Sequence, residues 1–295
     1  MEKTTLNLVT WNVGMLVIKR LSYVIVEPAA YKHMRFRYLP EALNACPANI
    51  IALQELYHPE DVAHVIDKTR ERFPYYAIAE CPKSSSRLNP GLVVLSDRPI
   101  IRSEFHAFDI LPPDEAAFVR KGMLHCTVDA GPFGTIELVN THNTSGGMLW
   151  SPHNILMHQV RRSQYRQMFR LLRKFPQSRR IAVGDFNAGP EISDQSYRGL
   201  IQPDFRDAWV VRHGSDVSTR KATWDPANSL NREGPHRSQK GAESLDGFHL
   251  DTNLLNAANV DHVNILFEEP VVRGPIDRLL TISDHYGVEM SLSLK

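Results

Sequence analysis

Short apolar runs, each about as long as a β-strand, alternate with amphipathic stretches along the whole chain. Alternation of this kind favours a layered α/β or α+β domain, in which helices cover the faces of β-sheets. No internal repeat, low-complexity tract or linker separates the runs, so we expect one domain over residues 1–295. The predicted strands cover residues 6–13, 50–54, 91–95, 123–128, 135–141, 180–183, 262–267 and 288–292.

Several of these predicted strands have a polar residue at or just past their carboxyl end. These residues are Asn12, Glu55, His142 and Asp185. Catalytic and binding side chains tend to gather at such ends, where loops leave a rigid sheet. We therefore expect the chemistry of the chain at these strand ends.

The composition limits the class of protein. The chain has 295 residues, of which 42% are hydrophobic and 23% are charged, so a sizeable core can be buried. The formal net charge of +1 does not favour non-specific binding to duplex DNA, although an uneven distribution of charge would still allow it. Three widely spaced cysteines, Cys46, Cys81 and Cys126, lack the spacing of metal ligands and are interpreted as core thiols.

No segment has the pattern of an export signal or a membrane span. The start of the chain lacks the basic and then apolar layout of a secretory signal peptide. The apolar run over residues 13–26 is interrupted by Lys19 and Arg20 and is shorter than the ~20 residues that a spanning helix needs. We expect a soluble protein, cytoplasmic by default. Within this run, residues 16–18 and 23–26 are interpreted as core, with peripheral contact to a membrane as the alternative.

The clearest helix prediction covers residues 153–174, after the start signal formed by Ser151 and Pro152. One face of this helix is basic. Its arginines are Arg162, Arg166, Arg170 and Arg173. A solvated helix face is the simpler interpretation, and a surface facing the phosphates of nucleic acid or anionic lipid is the alternative.

Residues 214–253 are polar and rich in turn-forming residues. Long segments of this kind inside compact domains are often functional loops. We therefore predict a loop over these residues that contributes to specificity.

Two motifs at predicted strand ends are more informative than single polar residues. AVGDFN places Asp185 and Asn187 two residues apart after an apolar strand, and SDHYG joins Asp284 to His285. Either motif alone has a structural interpretation at least as good as a functional one. The order along the chain is more specific, because TWN, LQE, a strand ending in TH, GDFN and SDH follow one another. This order resembles the endonuclease/exonuclease/phosphatase superfamily, which includes DNase-like nucleases, inositol-phosphate phosphatases and neutral sphingomyelinases.

The resemblance covers residues 6–289 and implies an α+β fold of four α/β/β/α layers. Two mixed β-sheets would pack face to face, with helices outside. The resemblance also implies a divalent-metal site with Glu55 as the principal ligand, Asn12 beside it and Asp284 as a nearby metal or water ligand. Carboxylate and amide oxygens are the ligands that Mg²⁺ prefers, and Mn²⁺ is the alternative.

Proton transfer would depend on His285. The resemblance implies that His285 takes a proton from the attacking water and that Asp261, in VDHV, orients its imidazole. Asp277, in PIDRLL, is the competing candidate. The superfamily usually has an aromatic residue after the orienting aspartate, whereas this chain has His262 there. An imidazole titrates near pH ~6.5 and is a suitable base, and a carboxylate partner fixes its tautomer.

Three further residues would surround the reacting phosphate. Asp185 and Asn187 would position the nucleophile and bind the phosphate, and His142 would donate a hydrogen bond to a phosphoryl oxygen. Hydrolysis of a phosphodiester needs a base, in-line attack by water and donors around the phosphoryl oxygens, which such a set supplies.

Two segments resemble the neutral sphingomyelinase branch in particular. Lys121, in RKGML, matches a Lys-Gly element that opens a strand, and Trp224, in ATWDP, matches a TWDP segment followed by Asn-Ser. Lys121 would face the phosphate or remain a solvated lysine, and Trp224 would line the substrate mouth or anchor a loop. The implied function is a sphingomyelinase-like phosphodiesterase that releases a phospholipid headgroup. Alternatives are a DNA or RNA nuclease, an inositol or nucleotide phosphatase, and a catalytically inactive binding module.

Overall fold

The computed structural model describes residues 4–20, 23–80, 87–146, 150–151, 153–190, 194–232 and 241–295. Its strands are β1 (Thr5–Asn12), β2 (Ile18–Arg20), β3 (Tyr23–Val26), β4 (Ile50–Gln54), β5 (Tyr75–Ile78), β6 (Val93–Ser96), β7 (Ile100–Ala107), β8 (Gly122–Asp129), β9 (Thr135–His142), β10 (Arg179–Asp185), β11 (Phe205–Asp207), β12 (Asp246–Asp251), β13 (Ala258–Leu266), β14 (Val272–Arg273), β15 (Leu279–Leu280) and β16 (Gly287–Leu294). Its helices are α1 (Lys32–Arg35), α2 (Leu39–Ala45), α3 (Pro59–Thr69), α4 (Pro113–Phe118), α5 (Ile155–Leu172), α6 (Asp194–Leu200), α7 (Ala208–His213) and α8 (Thr252–Ala257). Short 3-10 turns cover Gly131–Phe133, Val217–Thr219 and Pro275–Asp277.

Most strands belong to two six-stranded sheets, ordered β13-β16-β1-β4-β6-β5 and β11-β12-β10-β9-β8-β7. In the first sheet β1 runs parallel to β4 and antiparallel to β16. In the second sheet β10 runs parallel to β9 and antiparallel to β12. Both sheets are therefore mixed.

The central strands bury both faces, which explains why their sequences are almost continuously apolar. In β1, Leu6 and Leu8 belong to the core between the two sheets, whereas Val9 and Trp11 belong to an outer core under α2 and α3. A third cluster, which includes Phe169 of α5, covers the outer face of the second sheet. These layers of helix, sheet, sheet and helix confirm the predicted four-layer α+β sandwich.

Each predicted strand is present, with ends that differ by up to four residues. The predicted helix is also present as α5, but it begins at Ile155 because the Asn154 side chain accepts a hydrogen bond from the Leu156 N–H and caps it. Pro152 of the expected start signal lies outside the described residues.

The prediction of a loop over residues 214–253 is wrong at its carboxyl end, where residues 246–251 form β12. This strand lies between β10 and β11 in the second sheet. Asp246, His249 and Asp251 make its sequence look like a loop, yet all three side chains are buried. Asp246 contributes to a polar cluster at the amino end of this strand, whereas Asp251 forms an ion pair with Arg180 at the other end.

The apolar run over residues 13–26 divides into two parts. Val17 is buried, as the core interpretation expects for residues 16–18, whereas Tyr23, Val24 and Ile25 are exposed. The core interpretation is therefore wrong for the second part, which forms the ribbon of β2 and β3.

Cys46 and Cys126 are buried free thiols, as interpreted, and Cys81 lies outside the described residues. Among the described helices, none combines the length and apolar character needed to cross a bilayer.

A buried polar bridge joins the two sheets near the ends of β4 and β9. Gln54 Nε2 donates to Asn140 Oδ1 over 2.8 Å and to Thr10 Oγ1 over 3.1 Å. Asn140 Nδ2 donates to the carbonyl oxygens of Leu53 (2.9 Å) and Val93 (3.1 Å). Because an unpaired polar group is costly in this core, the bridge fixes how β4 and β9 lie against each other.

We expect Asn140→Leu to lower the free energy of unfolding by about 2–5 kcal/mol, because the Gln54 amide and two carbonyl groups lose partners in the core. Urea unfolding followed by circular dichroism measures this change. Asn264→Leu, at an exposed strand position, is the matched control and should change stability by about 0.5 kcal/mol or less. Equal effects of the two substitutions would contradict a specific role for the bridge.

Candidate active site

Polar residues from both sheets meet at one edge of the sandwich. Asn12 ends β1 and Glu55 follows β4, while His142 and Asp185 end the paired strands β9 and β10. Asn12 Nδ2 donates to Glu55 Oε1 over 3.1 Å and to Asp185 Oδ2 over 3.0 Å. His142 Nε2 lies 3.6 Å from Asp185 Oδ2 and 3.9 Å from Glu55 Oε1. Four residues predicted from separate motifs thus form one cluster.

The backbone is in the left-handed region at two positions of this cluster. Glu55 has a φ of 61° and Asn187 a φ of 50°, values that a residue with a Cβ adopts at a cost. Gly14 (φ +57°) approaches Asp284 so closely that a Cβ there would lie 2.2 Å from the carboxylate Oδ1. Strain and close approach of this kind are typical of functional sites.

Two carboxyl groups of the cluster, Glu55 and Asp185, have raised pKa values. Burial, together with the nearby Asp284 carboxylate, raises the pKa of Glu55, although the hydrogen bond from Asn12 opposes this effect. Burial and the Asp246 carboxylate raise the pKa of Asp185 to about 7. A divalent cation would relieve this repulsion, and carboxylate oxygens are suitable ligands for Mg²⁺ or Mn²⁺. The residues present therefore fit a divalent metal.

Asn12 presents its amide nitrogen, not its oxygen, to these carboxylates. Its Oδ1 accepts a hydrogen bond from the Gly14 N–H over 3.1 Å, which fits this orientation of the amide. Asn12 therefore holds Glu55 and Asp185 together in this structure.

Asp246, a residue that the sequence analysis missed, is the carboxylate that contacts His285. Asp246 Oδ2 lies 2.9 Å from His285 Nδ1. Burial alone would lower the pKa of His285, but the Asp246 carboxylate raises it well above its ordinary value, with smaller effects from Asp185 and Asp284. Because Asp246 pairs directly with Asp185 across β12 and β10, three titratable groups lie together. Their ligand atoms are within 4.8 Å of one another, so this trio is a second arrangement that could hold a metal.

The prediction that Asp261 orients His285 is wrong, and so is the alternative, Asp277. Asp261 lies on β13, at the edge of the first sheet, and its Oδ1 accepts a hydrogen bond from Ser293 Oγ over 3.0 Å. Asp277 is exposed at the end of a 3-10 turn. The sequence feature that could have identified Asp246 is the Leu245-Asp246 pair just before the apolar residues of β12. The prediction of a loop over residues 214–253 concealed it.

A second group of contacts surrounds His142. Lys121 Nζ lies 3.2 Å from His142 Nε2 and donates to the Asn143 carbonyl oxygen over 3.1 Å. Burial, together with the charges of Lys121 and His285, lowers the pKa of His142 well below its ordinary value. Asn187 donates from its backbone N–H to Asp185 Oδ1 (2.8 Å) and from Nδ2 to the Asn143 oxygen (2.9 Å). Lys121 is thus buried at the site, which excludes the solvated interpretation.

Glu115 of α4, which no sequence signal indicated, fixes the position of Lys121. Its Oε1 lies 3.5 Å from Lys121 Nζ and accepts a hydrogen bond from the Ser145 N–H over 3.2 Å. The ion pair is buried on both sides.

Arg35, also missed, holds the loop after β1. Its guanidinium donates to the carbonyl oxygens of Gly14 (2.7 Å), Ala29 (2.7 Å) and Ile282 (2.6 Å). These bonds join the loop to the segment that precedes Asp284. Burial lowers the pKa of Arg35 to about 10.

The cluster opens into a cavity of about 790 Å³. Trp224 is buried and lines this cavity, and its backbone bridges to that of His285, so it both anchors its segment and contributes to the wall. The predicted site residues that line the cavity are Glu55, Lys121, His142, Asp185, Asn187, Trp224, Asp284 and His285.

The fold resembles several solved structures. A Staphylococcus aureus beta toxin superposes with a TM-score of 0.77 at 17% identity, covering 97% of this chain and 99% of that chain. Sphingomyelinase C from Streptomyces griseocarneus gives 0.73 at 17% identity, covering 98% and 99%. TDP2 from Caenorhabditis elegans gives 0.69 at 16% identity, covering 98% and 74%. Another structure of the beta toxin contains bound magnesium ions.

A comparison with curated proteins finds no match for this chain. The model of the endonuclease/exonuclease/phosphatase family, in contrast, matches residues 9–285. That match spans nearly the whole sandwich and the whole cluster from Asn12 to His285. The chain belongs to the endonuclease/exonuclease/phosphatase family.

Proposed function

We propose that this protein is a metal-dependent phosphodiesterase that hydrolyses a phospholipid and releases a phosphocholine-type headgroup. The family and the cluster support a hydrolase of phosphoric esters. The observation that carries the choice of substrate is the cavity, whose walls beyond the cluster are apolar and acidic. Two of the similar folds belong to a sphingomyelinase and to a toxin crystallised with magnesium.

The charge of the cavity favours a substrate with one phosphate and a cationic end. The basic residues among the described lining are Lys121, Arg161 and the histidines His142, His153 and His285. A bound cation would offset Glu55, Asp185 and Asp284, and Glu115 is paired with Lys121, which leaves Glu27, Asp114 and Glu243 as the acidic wall. A polyanion such as nucleic acid would meet repulsion from this wall, whereas a zwitterionic headgroup would not.

The basic face of α5 gives the nuclease alternative little support. Arg162, Arg166 and Arg170 are exposed, as predicted for a basic helix face. None of the three lines the cavity, whereas Arg161, on the buried side of the helix, does. A nucleic acid held by these arginines would therefore contact a surface outside the cavity.

The metal would be held by Glu55 and Asp284, with Asn12 orienting the Glu55 carboxylate. A direct bond from Asn12 to the metal would need its Oδ1, which accepts from the Gly14 N–H in this structure. When bound, Mg²⁺ or Mn²⁺ would polarise the phosphoryl group and neutralise developing charge.

His285 would accept the proton of the attacking water, and Asp246 would hold its imidazole by the bond to Nδ1. This bond leaves Nε2 as the basic atom in the neutral imidazole and stabilises the imidazolium that results, so only the deprotonated fraction of His285 acts as the base. Asp185, with a pKa of about 7, lies in the same trio and would orient the water. In-line attack then breaks the bond between phosphorus and the leaving oxygen.

Donors on the other side of the cluster would bind the phosphoryl oxygens. The Lys121 ammonium and the Asn187 amide are held by the Asn143 carbonyl oxygen, and His142 lies between them and the carboxylates. Donors that are already fixed in place stabilise charge without further reorganisation.

The contact between His285 and Asp246 leads to a testable prediction. Asp246→Asn should lower kcat by about 10²–10⁴-fold, because the imidazole loses the carboxylate that orients it and stabilises its charge. Asp261→Asn is the matched control and should retain nearly full activity, since Asp261 contacts Ser293 rather than His285. Steady-state hydrolysis of bis(p-nitrophenyl) phosphate measures both. Loss of activity in Asp261→Asn but not in Asp246→Asn would instead support Asp261 as the residue that orients His285.

The substrate is tested with sphingomyelin vesicles and plasmid DNA in parallel. With Mg²⁺ the protein should release phosphocholine and leave the plasmid intact, and EDTA should abolish release, because chelation removes the Lewis acid. His285→Ala is the control for contaminating activity, and its turnover should be about 10²–10⁴-fold lower than that of wild type. Its circular dichroism spectrum should be unchanged, which shows that the variant is folded. Plasmid nicking without phosphocholine release would reject the lipid substrate and favour the nuclease alternative.

A further inference from the structure

The ribbon formed by β2 and β3 exposes apolar side chains on both of its faces. Tyr23 is 79% exposed, Val24 51% and Ile25 58%. Successive side chains of a strand point to opposite faces, so Tyr23 and Ile25 lie on one face and Val24 on the other. Within the part of the chain that the structure describes, these side chains remain largely uncovered on both faces.

A two-stranded ribbon whose apolar side chains are exposed on both faces is unusual at the surface of a protein in water. β2 and β3 pair only with each other among the described strands, and an isolated two-stranded hairpin is marginally stable in water. Contiguous exposed apolar residues generally mark a surface that binds a partner.

The ribbon borders the opening of the catalytic cavity. Ile18, Ile25 and Val26 line the same cavity as the Glu55 cluster. Phe118, at the end of α4, and Trp150 also line it and are 40% and 37% exposed. Apolar side chains from three separate segments of the chain are therefore continuous with the walls of the cavity.

We propose that the β2–β3 ribbon, together with Phe118 and Trp150, docks the opening of the cavity onto the surface of a phospholipid bilayer. A flat protein partner would cover one face of the ribbon and leave Val24 or Tyr23 in water. The acyl region of a membrane is a fluid apolar phase that covers both faces at once. Docking there also places the cavity against the layer that contains the substrate, so the proposal rests on the proposed lipid function.

Tyr23 and Val24 do not line the cavity, which makes them suitable for a test. The variant Tyr23→Ser/Val24→Ser, called the tip variant below, removes the two exposed apolar side chains at the start of β3. It leaves the residues of the catalytic cluster unchanged. The matched control is Ile101→Ser/Ile201→Ser, because these isoleucines are 63% and 61% exposed and lie outside the cavity lining. Co-sedimentation with vesicles of sphingomyelin and phosphatidylcholine, in EDTA so that no lipid is consumed, measures binding. Hydrolysis of bis(p-nitrophenyl) phosphate with Mg²⁺ measures the catalytic site independently.

We expect the tip variant to bind vesicles at least ~10-fold more weakly than wild type, since each buried apolar side chain contributes about that factor or more. Its hydrolysis of the water-soluble diester should equal that of wild type, and the control variant should match wild type in both assays. Vesicle binding by the tip variant equal to wild type would overturn the proposal. A wild-type protein that binds no vesicles would also overturn the proposal. Gel filtration would then show whether the ribbon instead mediates self-association, which the tip variant would lose.

The two proposals fail separately. Vesicle binding that depends on the ribbon, without phosphocholine release, would support docking and reject the sphingomyelin substrate. Hydrolysis of the soluble diester without ribbon-dependent vesicle binding would support the catalytic site and reject docking.

Discussion

The polar cluster at the edge of the sandwich depends on the buried bridge between the two sheets. Gln54 of β4 and Asn140 of β9 meet over 2.8 Å in the core between the sheets. Each precedes a site residue closely, because Glu55 follows Gln54 and His142 lies two residues beyond Asn140. Apolar packing holds the two sheets together, and these directional hydrogen bonds, which are costly to leave unmade in the core, add a further preference for one register. The bridge therefore brings Asn12 and Glu55 of one sheet opposite His142 and Asp185 of the other.

The cluster gathers negative charge at the cost of stability. Glu55, Asp185 and Asp284 lie close together, and burial leaves little water to solvate them. Fixed donors offset part of that cost, above all the Asn12 amide, which bonds to two of the carboxylates at once. The remaining repulsion, together with burial, raises the pKa values of Glu55 and Asp185, and a divalent cation bound there would relieve it.

Much of this architecture could be predicted from the sequence. Continuous apolar runs identified the central strands, since strands buried on both faces need no polar alternation, and β4 agrees with its prediction at both ends. The order of the motifs identified the residues that end β1, β9 and β10. Edge strands such as β5, β7 and β11 escaped prediction because they are short or exposed and have no such pattern.

The partner of His285 could not be found in the same way. Which carboxylate contacts His285 depends on which strand lies beside β10. That strand is β12, and it contains so many polar residues that its local sequence pattern indicates a loop. Arg35 and Glu115 are harder still, because an arginine that binds backbone carbonyl groups and a glutamate that pairs with a distant lysine leave no local signal. Such residues become visible only when the chain is folded.

The most direct test of a metal-dependent site is an anomalous difference map from crystals soaked in Mn²⁺. We expect a peak bound by oxygens of Glu55 and Asp284, with the bond between His285 Nδ1 and Asp246 intact. A peak held by Asp185, Asp246 and His285 in place of that site, or no peak in the cluster, would contradict it.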